Sequence, residues 1–185
     1  MLALALGAVA LVAVIARGPV EDSIREFTLP LRHEDIIRQQ ARDKDLDPAL
    51  IAAVIYQESK FRDQTSHAGA RGLMQITPAT AEFIARDSGG TAFSQEDLAK
   101  PQINIAYGSY YLRYLMHHYD GNTELALAAY NAGETNVDRW VREAGGQGEF
   151  DRVDDIPFPE TREYVSKVLD ARRAYRREYA EELGL

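Results

Sequence analysis

Hydrophobic and polar positions recur along this chain at helical spacing, and no stretch of any length alternates with the period of a strand. The clearest case is residues 51–61, IAAVIYQESKF. Ile51, Ile55 and Glu58 fall at i, i+4 and i+7 with Val54 beside them, which predicts an amphipathic helix whose apolar face carries one carboxylate. Asp47-Pro48 fits the N-cap and first helical position, so this helix starts near Pro48. Before it, residues 33–44 hold Ile36 and Ile37 among polar neighbours and predict a first, largely exposed helix. Residues 59–73 read as a loop, with Gly69 and Gly72 supplying backbone freedom. Thr77-Pro78 repeats the cap-plus-proline signal and opens a helix through about Asp87, followed by a break at residues 88–91. Ser94 with Asp97 resembles an N-terminal box on a short turn. Residues 101–119 form a long helix, and residues 123–131 and 134–144 form two more, on either side of Gly133. Residues 145–159 are glycine- and acid-rich, hence a loop, and a final helix runs from Glu160 toward Glu182. The fold class is all-α.

Composition narrows the chemistry. At 185 residues the chain suits one domain of ordinary size. A formal net charge of −8 argues against a nucleic-acid partner, which calls for a basic face. The chain has no cysteine and its four histidines are scattered, without H-E-x-x-H spacing, so neither a disulfide framework nor a metal site is proposed. Residues 1–16, MLALALGAVALVAVIA, are continuously apolar. That length suits a signal-peptide core better than a full membrane span, although the basic segment that normally precedes such a core is missing. The organisation read from this is a signal or membrane-anchor segment at 1–19, a linker at 20–32 and a helical domain at 33–185, working outside the cytoplasmic membrane.

A carboxylate on the core side of a helix must be paired, protonated or used. Desolvation raises its pKa, and a Glu still protonated near neutral pH is what general acid catalysis requires. The bland alternative is a Glu at a fraying helix end, or one paired with an arginine. Downstream, Ser66 precedes Gly69-Ala70-Arg71-Gly72-Leu73-Met74-Gln75-Ile76-Thr77-Pro78, a glycine-rich turn that delivers Met-Gln just before a helix. An amide there suits sugar hydroxyls and acetamido groups, and on spacing alone the segment equally suits a tight structural loop. Tyr130-Asn131-Ala132-Gly133 puts a phenol and an amide at a helix end, where a C-cap is the plain reading. Tyr107, Tyr110, Tyr111 and Tyr114 form a stripe at i, i+3, i+4 and i+7, which reads as core packing, as does Trp140. Arg172, Arg173, Arg176 and Arg177 read as a solvated helix face.

Taken together, Glu58-Ser59, Gly72-Leu73-Met74-Gln75 running to Pro78, Asn104 with Gly108, Tyr111 and Leu112, Ala129-Tyr130-Asn131-Ala132-Gly133 and Glu160-Thr161-Arg162-Glu163-Tyr164-Val165 occur in an order that resembles the soluble-lytic-transglycosylase type of peptidoglycan lyase. That type is glycoside hydrolase family 23, related to goose-type lysozyme. The resemblance implies a lysozyme-like helical domain with a central glycan-binding cleft. It implies Glu58 as the single catalytic acid/base, with Ser66, Met74, Gln75, Tyr130, Asn131 and Tyr164 as substrate contacts and Ser59 and Asn104 as supports. It further implies non-hydrolytic cleavage of peptidoglycan glycan strands to 1,6-anhydro-muramyl ends, with no cofactor. The sequence does not give an oligomeric state, and a monomer is the default. Two alternatives stay open: a hydrolytic lysozyme of the same fold, for which Asp63, Glu82 or Glu134 is the candidate second carboxylate, and a catalytically silent glycan-binding or scaffold module.

Overall fold

The computed structural model describes residues 26–89, 94–150 and 152–185. The chain divides into two compact units, Met1–Arg32 and His33–Leu185, and the architecture below is that of the second. The apolar segment 1–16 and part of the break at 88–91 lie outside the described residues. No described helix is long and apolar enough to cross a membrane.

In chain order the helices are α1 (Glu34–Lys44), α2 (Pro48–Ser59), α3 (Pro78–Asp87), α4 (Pro101–His118), α5 (Thr123–Ala132), α6 (Glu134–Ala144), α7 (Pro159–Glu178) and α8 (Ala180–Leu183). Short 3₁₀ turns at Gln95–Ala99, Gln147–Glu149 and Val153–Asp155 fill the connections. Among the described residues the only β pairing is a pair of isolated antiparallel bridges, Thr65 to Arg71 and Arg71 to Ile76, so the all-α expectation holds. The N-terminal signals act as read: Asp47 accepts from the Ala49 amide and Thr77 from Thr80, each ahead of a proline in the first turn.

The helix bearing Glu58 departs from the amphipathic expectation. Every residue from Ala49 to Ile55 is at most 2 % exposed, so α2 is enclosed on all sides rather than along one face. Small residues (Ala49, Ala52, Ala53) let neighbours approach, while Leu50, Ile51, Val54 and Ile55 supply burial worth roughly 1.5–3 kcal/mol each. Its most extensive partner is α7, which turns Thr161, Val165, Val168, Ala171 and Tyr175 inward at helical spacing, and α1 covers another side. That role corrects the expectation for α1, whose Ile36, Ile37, Gln40 and Ala41 are all buried.

The α7 arginines are likewise not simply a solvated face. Arg172 and Arg176 reach the N-cap of α2, donating to Asp47 Oδ2 at 2.6 and 3.0 Å, while Arg173 and Arg177 stay exposed and pair locally with Asp170 and Glu178. The final helix also stops sooner than its pattern suggests: α7 ends at Glu178 and the short α8 follows after Tyr179. At the other end of α2, Lys60 and Phe61 both take left-handed backbone, with φ of 53° and 60°. This reverses the chain and drives Phe61 into the core, its ring 6.3 Å from that of Tyr175.

Candidate active site

Glu58 occupies the last turn of α2, where the helix leaves the core. It is mostly covered, and burial, opposed only by a hydrogen bond from Tyr164, pushes its carboxyl from an ordinary 4.5 up to about 7. Tyr164 comes from the second turn of α7 and donates its hydroxyl to Glu58 Oε1 at 2.7 Å. The same α2–α7 packing that buries the core therefore brings acid and phenol together across 106 residues of sequence.

The loop after α2 is anchored from below. Ser59, 4 % exposed, donates its hydroxyl to Leu73 O at 2.7 Å, and Gln64 donates to the Glu58 carbonyl at 3.2 Å. Asn104 of α4 is fully buried and spends its whole amide on backbone groups of this loop and of the 3₁₀ turn Gln95–Ala99. Its Oδ1 accepts from the Met74 amide at 2.7 Å, and its Nδ2 donates to Arg71 O and Leu98 O at 2.9 Å each. Gly72, at φ 75°, has no room for a side chain: a Cβ there would lie 2.4 Å from Leu98 O. Gly108 faces Met74, whose Sδ would lie 2.3 Å from an added Cβ. Met74 is thus a buried plug, 0 % exposed, and what it offers upward is its carbonyl, which accepts from the Tyr130 hydroxyl at 2.9 Å.

Gln75 follows in left-handed backbone at φ 48°, and its Nε2 donates to Gly72 O at 2.8 Å and Gln64 O at 3.1 Å. Ser66 accepts from the Ala70 amide at 3.0 Å, closing its own turn. Asn131, exposed at the end of α5, accepts from Thr161 of α7 at 2.8 Å and so ties the two helices. The structure therefore joins Glu58, Ser59, Met74, Asn104, Tyr130 and Tyr164 into one hydrogen-bonded and electrostatic neighbourhood. Ser66 and Gln75 belong to the loop wall and Asn131 to the helix seam. Burial raises the Tyr130 and Tyr164 hydroxyls well above their ordinary range, and the Glu58 charge raises both further, so both phenols remain neutral donors.

No second carboxylate contributes to the Glu58 shift. Asp63 and Glu82 are exposed, and Glu134 acts on Tyr111, Tyr114 and Tyr119 instead. Among the described residues one group could hold a cation, His118, Glu134 and Asp138, with ligand atoms within 4.8 Å of one another. There, however, Asp138 Oδ1 already meets His118 Nε2 and the Tyr119 hydroxyl, each at 3.0 Å.

Sequence reasoning missed how the tyrosine stripe of α4 is used. Tyr111 and Tyr114 stay half-exposed beside Phe83 of α3, and the Tyr111 ring lies 5.6 Å from that of Tyr130. The available signal was the residue type: phenols repeated on one face keep their hydroxyls near water more readily than leucines do.

Chemically, the arrangement offers one carboxyl half-protonated near neutral pH, a phenol fixing one of its oxygens, and a wall of backbone and amide groups. The family model described as the transglycosylase SLT domain matches residues 35–153. The soluble lytic murein transglycosylase of Salmonella typhimurium is 36% identical over 167 residues, which is 86% of this chain and 25% of that protein. Among solved structures, an inactive mutant of the lytic transglycosylase Slt from Pseudomonas aeruginosa aligns with a TM-score of 0.77 at 34% identity, covering 84% of this chain and 26% of that one. The 70 kDa soluble lytic transglycosylase of Escherichia coli aligns with a TM-score of 0.77 at 32% identity, covering 85% and 26%. The chain spans about a quarter of the length of these relatives.

Proposed function

The chain belongs to the transglycosylase SLT domain family, and from that premise we propose that it carries the catalytic domain of a peptidoglycan lytic transglycosylase acting outside the cytoplasmic membrane. Its substrate is the β-1,4 bond between N-acetylmuramic acid and N-acetylglucosamine in the glycan strand. The observation that carries this reading is the carboxyl of Glu58, displaced by burial to about 7 and held by a single phenol.

Ordinary glycosidases flank the bond with two carboxylates, and substrate-assisted enzymes are the exception. With one, the same group acts twice. Protonated Glu58 gives its proton to the glycosidic oxygen as the bond from that oxygen to the muramyl C1 breaks. The substrate's own acetamido oxygen stabilises the cationic C1. Glu58, now a carboxylate, takes the proton of the muramyl 6-hydroxyl as its oxygen bonds to C1. A 1,6-anhydro ring closes, no water is consumed, and Glu58 ends protonated as it began. A pKa near working pH serves both halves of that cycle. Tyr164 keeps Oε1 oriented, and the Tyr130–Met74 wall gives the sugar a fixed neutral surface. No metal or organic cofactor takes part, the domain acts as a monomer, and residues 1–19 serve as export signal or membrane anchor.

The deciding experiment is mass spectrometry of muropeptides released from purified peptidoglycan by residues 20–185, with Glu58→Gln as control. Anhydro-muramyl products from the unsubstituted protein alone support the reading. Products heavier by one water make the protein a lysozyme, and no products from either make it a binding module.

A further inference from the structure

Asn131 ends α5 with an unspent donor. Its Oδ1 accepts from the Thr161 hydroxyl at 2.8 Å, while its Nδ2 has no acceptor among the described residues. The other amides around Glu58 differ. Asn104 donates through Nδ2 to two backbone carbonyls, Gln75 through Nε2 to two more, and Gln64 through Nε2 to the carbonyl of Glu58 itself. Asn131 is exposed, whereas Thr161 is only 3 % exposed. A hydroxyl shielded from water needs an acceptor for its proton, and Oδ1 supplies it. Turning the amide over would bring an N–H2 against that hydroxyl and take the acceptor away. Thr161 therefore decides which half of the Asn131 amide faces outward.

The pair lies beside the acid. Thr161 reaches Asn131 from the first turn of α7, and three residues later the same face sends Tyr164 to Glu58 Oε1 at 2.7 Å. That spacing is roughly 4.5 Å along the helix axis. On α5 the neighbour of Asn131, Tyr130, stands in the field of the Glu58 charge. The amide is thus flanked on both helices by phenols that meet the acid, and neither has a proton to spare: Tyr164 gives its own to Glu58 and Tyr130 to the Met74 carbonyl.

We propose that Thr161 is a positioning residue for glycan cleavage. Its hydroxyl locks the Asn131 amide with the carbonyl toward α7 and the N–H2 toward the cleft, where it donates to an acceptor oxygen of the sugar beside Glu58. This rests on the glycan-cleaving reading and adds a polarity to it. A fixed donor suits a ring, ether or acetamido carbonyl oxygen, which can only accept, whereas an unlocked amide presents Oδ1 part of the time and repels the same atom.

The test measures kcat/KM of the full chain for release of anhydro-muramyl ends from purified peptidoglycan, below the Tm of every variant. Thr161→Val keeps the buried shape and loses the donor, and should lower kcat/KM about three- to tenfold. Thr161→Ser keeps the hydroxyl and should stay within about twofold. Stability runs the other way, since Val retains the buried methyl that Ser lacks, so activity that follows the hydroxyl is not a packing effect. In an Asn131→Ala background, itself impaired, Thr161→Val should cost nothing further. The alkaline limb of the pH profile should stay in place throughout, because the Tyr164–Glu58 bond is untouched. Any of four results overturns the positioning role: full activity in Thr161→Val or Asn131→Ala, a Thr161→Ser variant as slow as Thr161→Val, an undiminished Thr161→Val effect without Asn131, or a displaced alkaline limb. An unsubstituted chain that releases no anhydro-muramyl ends defeats the glycan-cleaving reading itself.

Discussion

Glu58 carries an electrostatic cost that can be measured without any substrate. Its carboxyl titrates near 4.5 in the unfolded chain and about 7 in the folded one. Between those values the folded state binds the extra proton, so stability is undiminished below pH 4.5 and declines as pH rises through 7. At about 1.4 kcal/mol per pH unit the full loss is about 3 kcal/mol. Glu58→Gln should therefore raise the Tm at pH 8 and leave it nearly unchanged at pH 4, while abolishing lyase turnover. Tyr164→Phe makes the complementary prediction. The phenol favours the charged carboxylate, so its removal raises the Glu58 pKa further and moves the alkaline limb of kcat/KM, expected near 7, to higher pH; an unmoved limb would separate Tyr164 from the catalytic acid. The pattern at Ile51, Ile55 and Glu58 led to this acid for a reason only half right. Glu58 is desolvated because it ends a helix enclosed on every side, which seven consecutive apolar residues signalled as well as the i, i+4, i+7 spacing did.

Helix starts were legible where a side chain and a proline act locally, as at Asp47-Pro48 and Thr77-Pro78. Helix-to-loop relations were not, because they depend on residues distant in sequence. Nothing near Asn104 reveals that its amide will hold a loop 30 positions away, or that Gly108 exists to admit Met74. The resemblance singled out both positions, Asn104 as a support and Gly108 with no role attached, without saying what either one touches. Asn104→Ala strands the Met74 amide and the Arg71 and Leu98 carbonyls, two or more of them in the interior, and should cost about 2–4 kcal/mol in urea unfolding. Gly108→Ala meets the Met74 sulfur at 2.3 Å and should cost about 1–3 kcal/mol by overpacking. In both, Tyr130 loses a fixed Met74 carbonyl, so kcat should fall at temperatures where the fold is intact. Normal kcat in a destabilised Gly108→Ala would show that the Met74 wall is scaffold alone.

Across the whole molecule, the family match at 35–153 ends before α7, yet α7 is the principal partner of α2 and the source of Tyr164. The two helices meet at both ends. Asp47 at the start of α2 accepts from Arg172 and Arg176, and Glu58 at its finish accepts from Tyr164. Between these ties lies the fully buried stretch of α2, whose cover includes Val165, Val168 and Tyr175. Removing α7 would bare that stretch to water and withdraw the burial that displaces the Glu58 carboxyl, so fold and acid should fail together. A fragment of residues 33–156 is accordingly expected to give no cooperative thermal transition by circular dichroism, whereas residues 33–185 give one. A milder cut at the same seam, Asp47→Ala, removes a helix cap and two ion pairs and should cost about 1–3 kcal/mol while leaving the alkaline limb of the pH profile in place. If 33–156 instead folded cooperatively, α7 would be an added cover on an independent core, and the burial of Glu58 would need a source among α1 and the loop that follows α2.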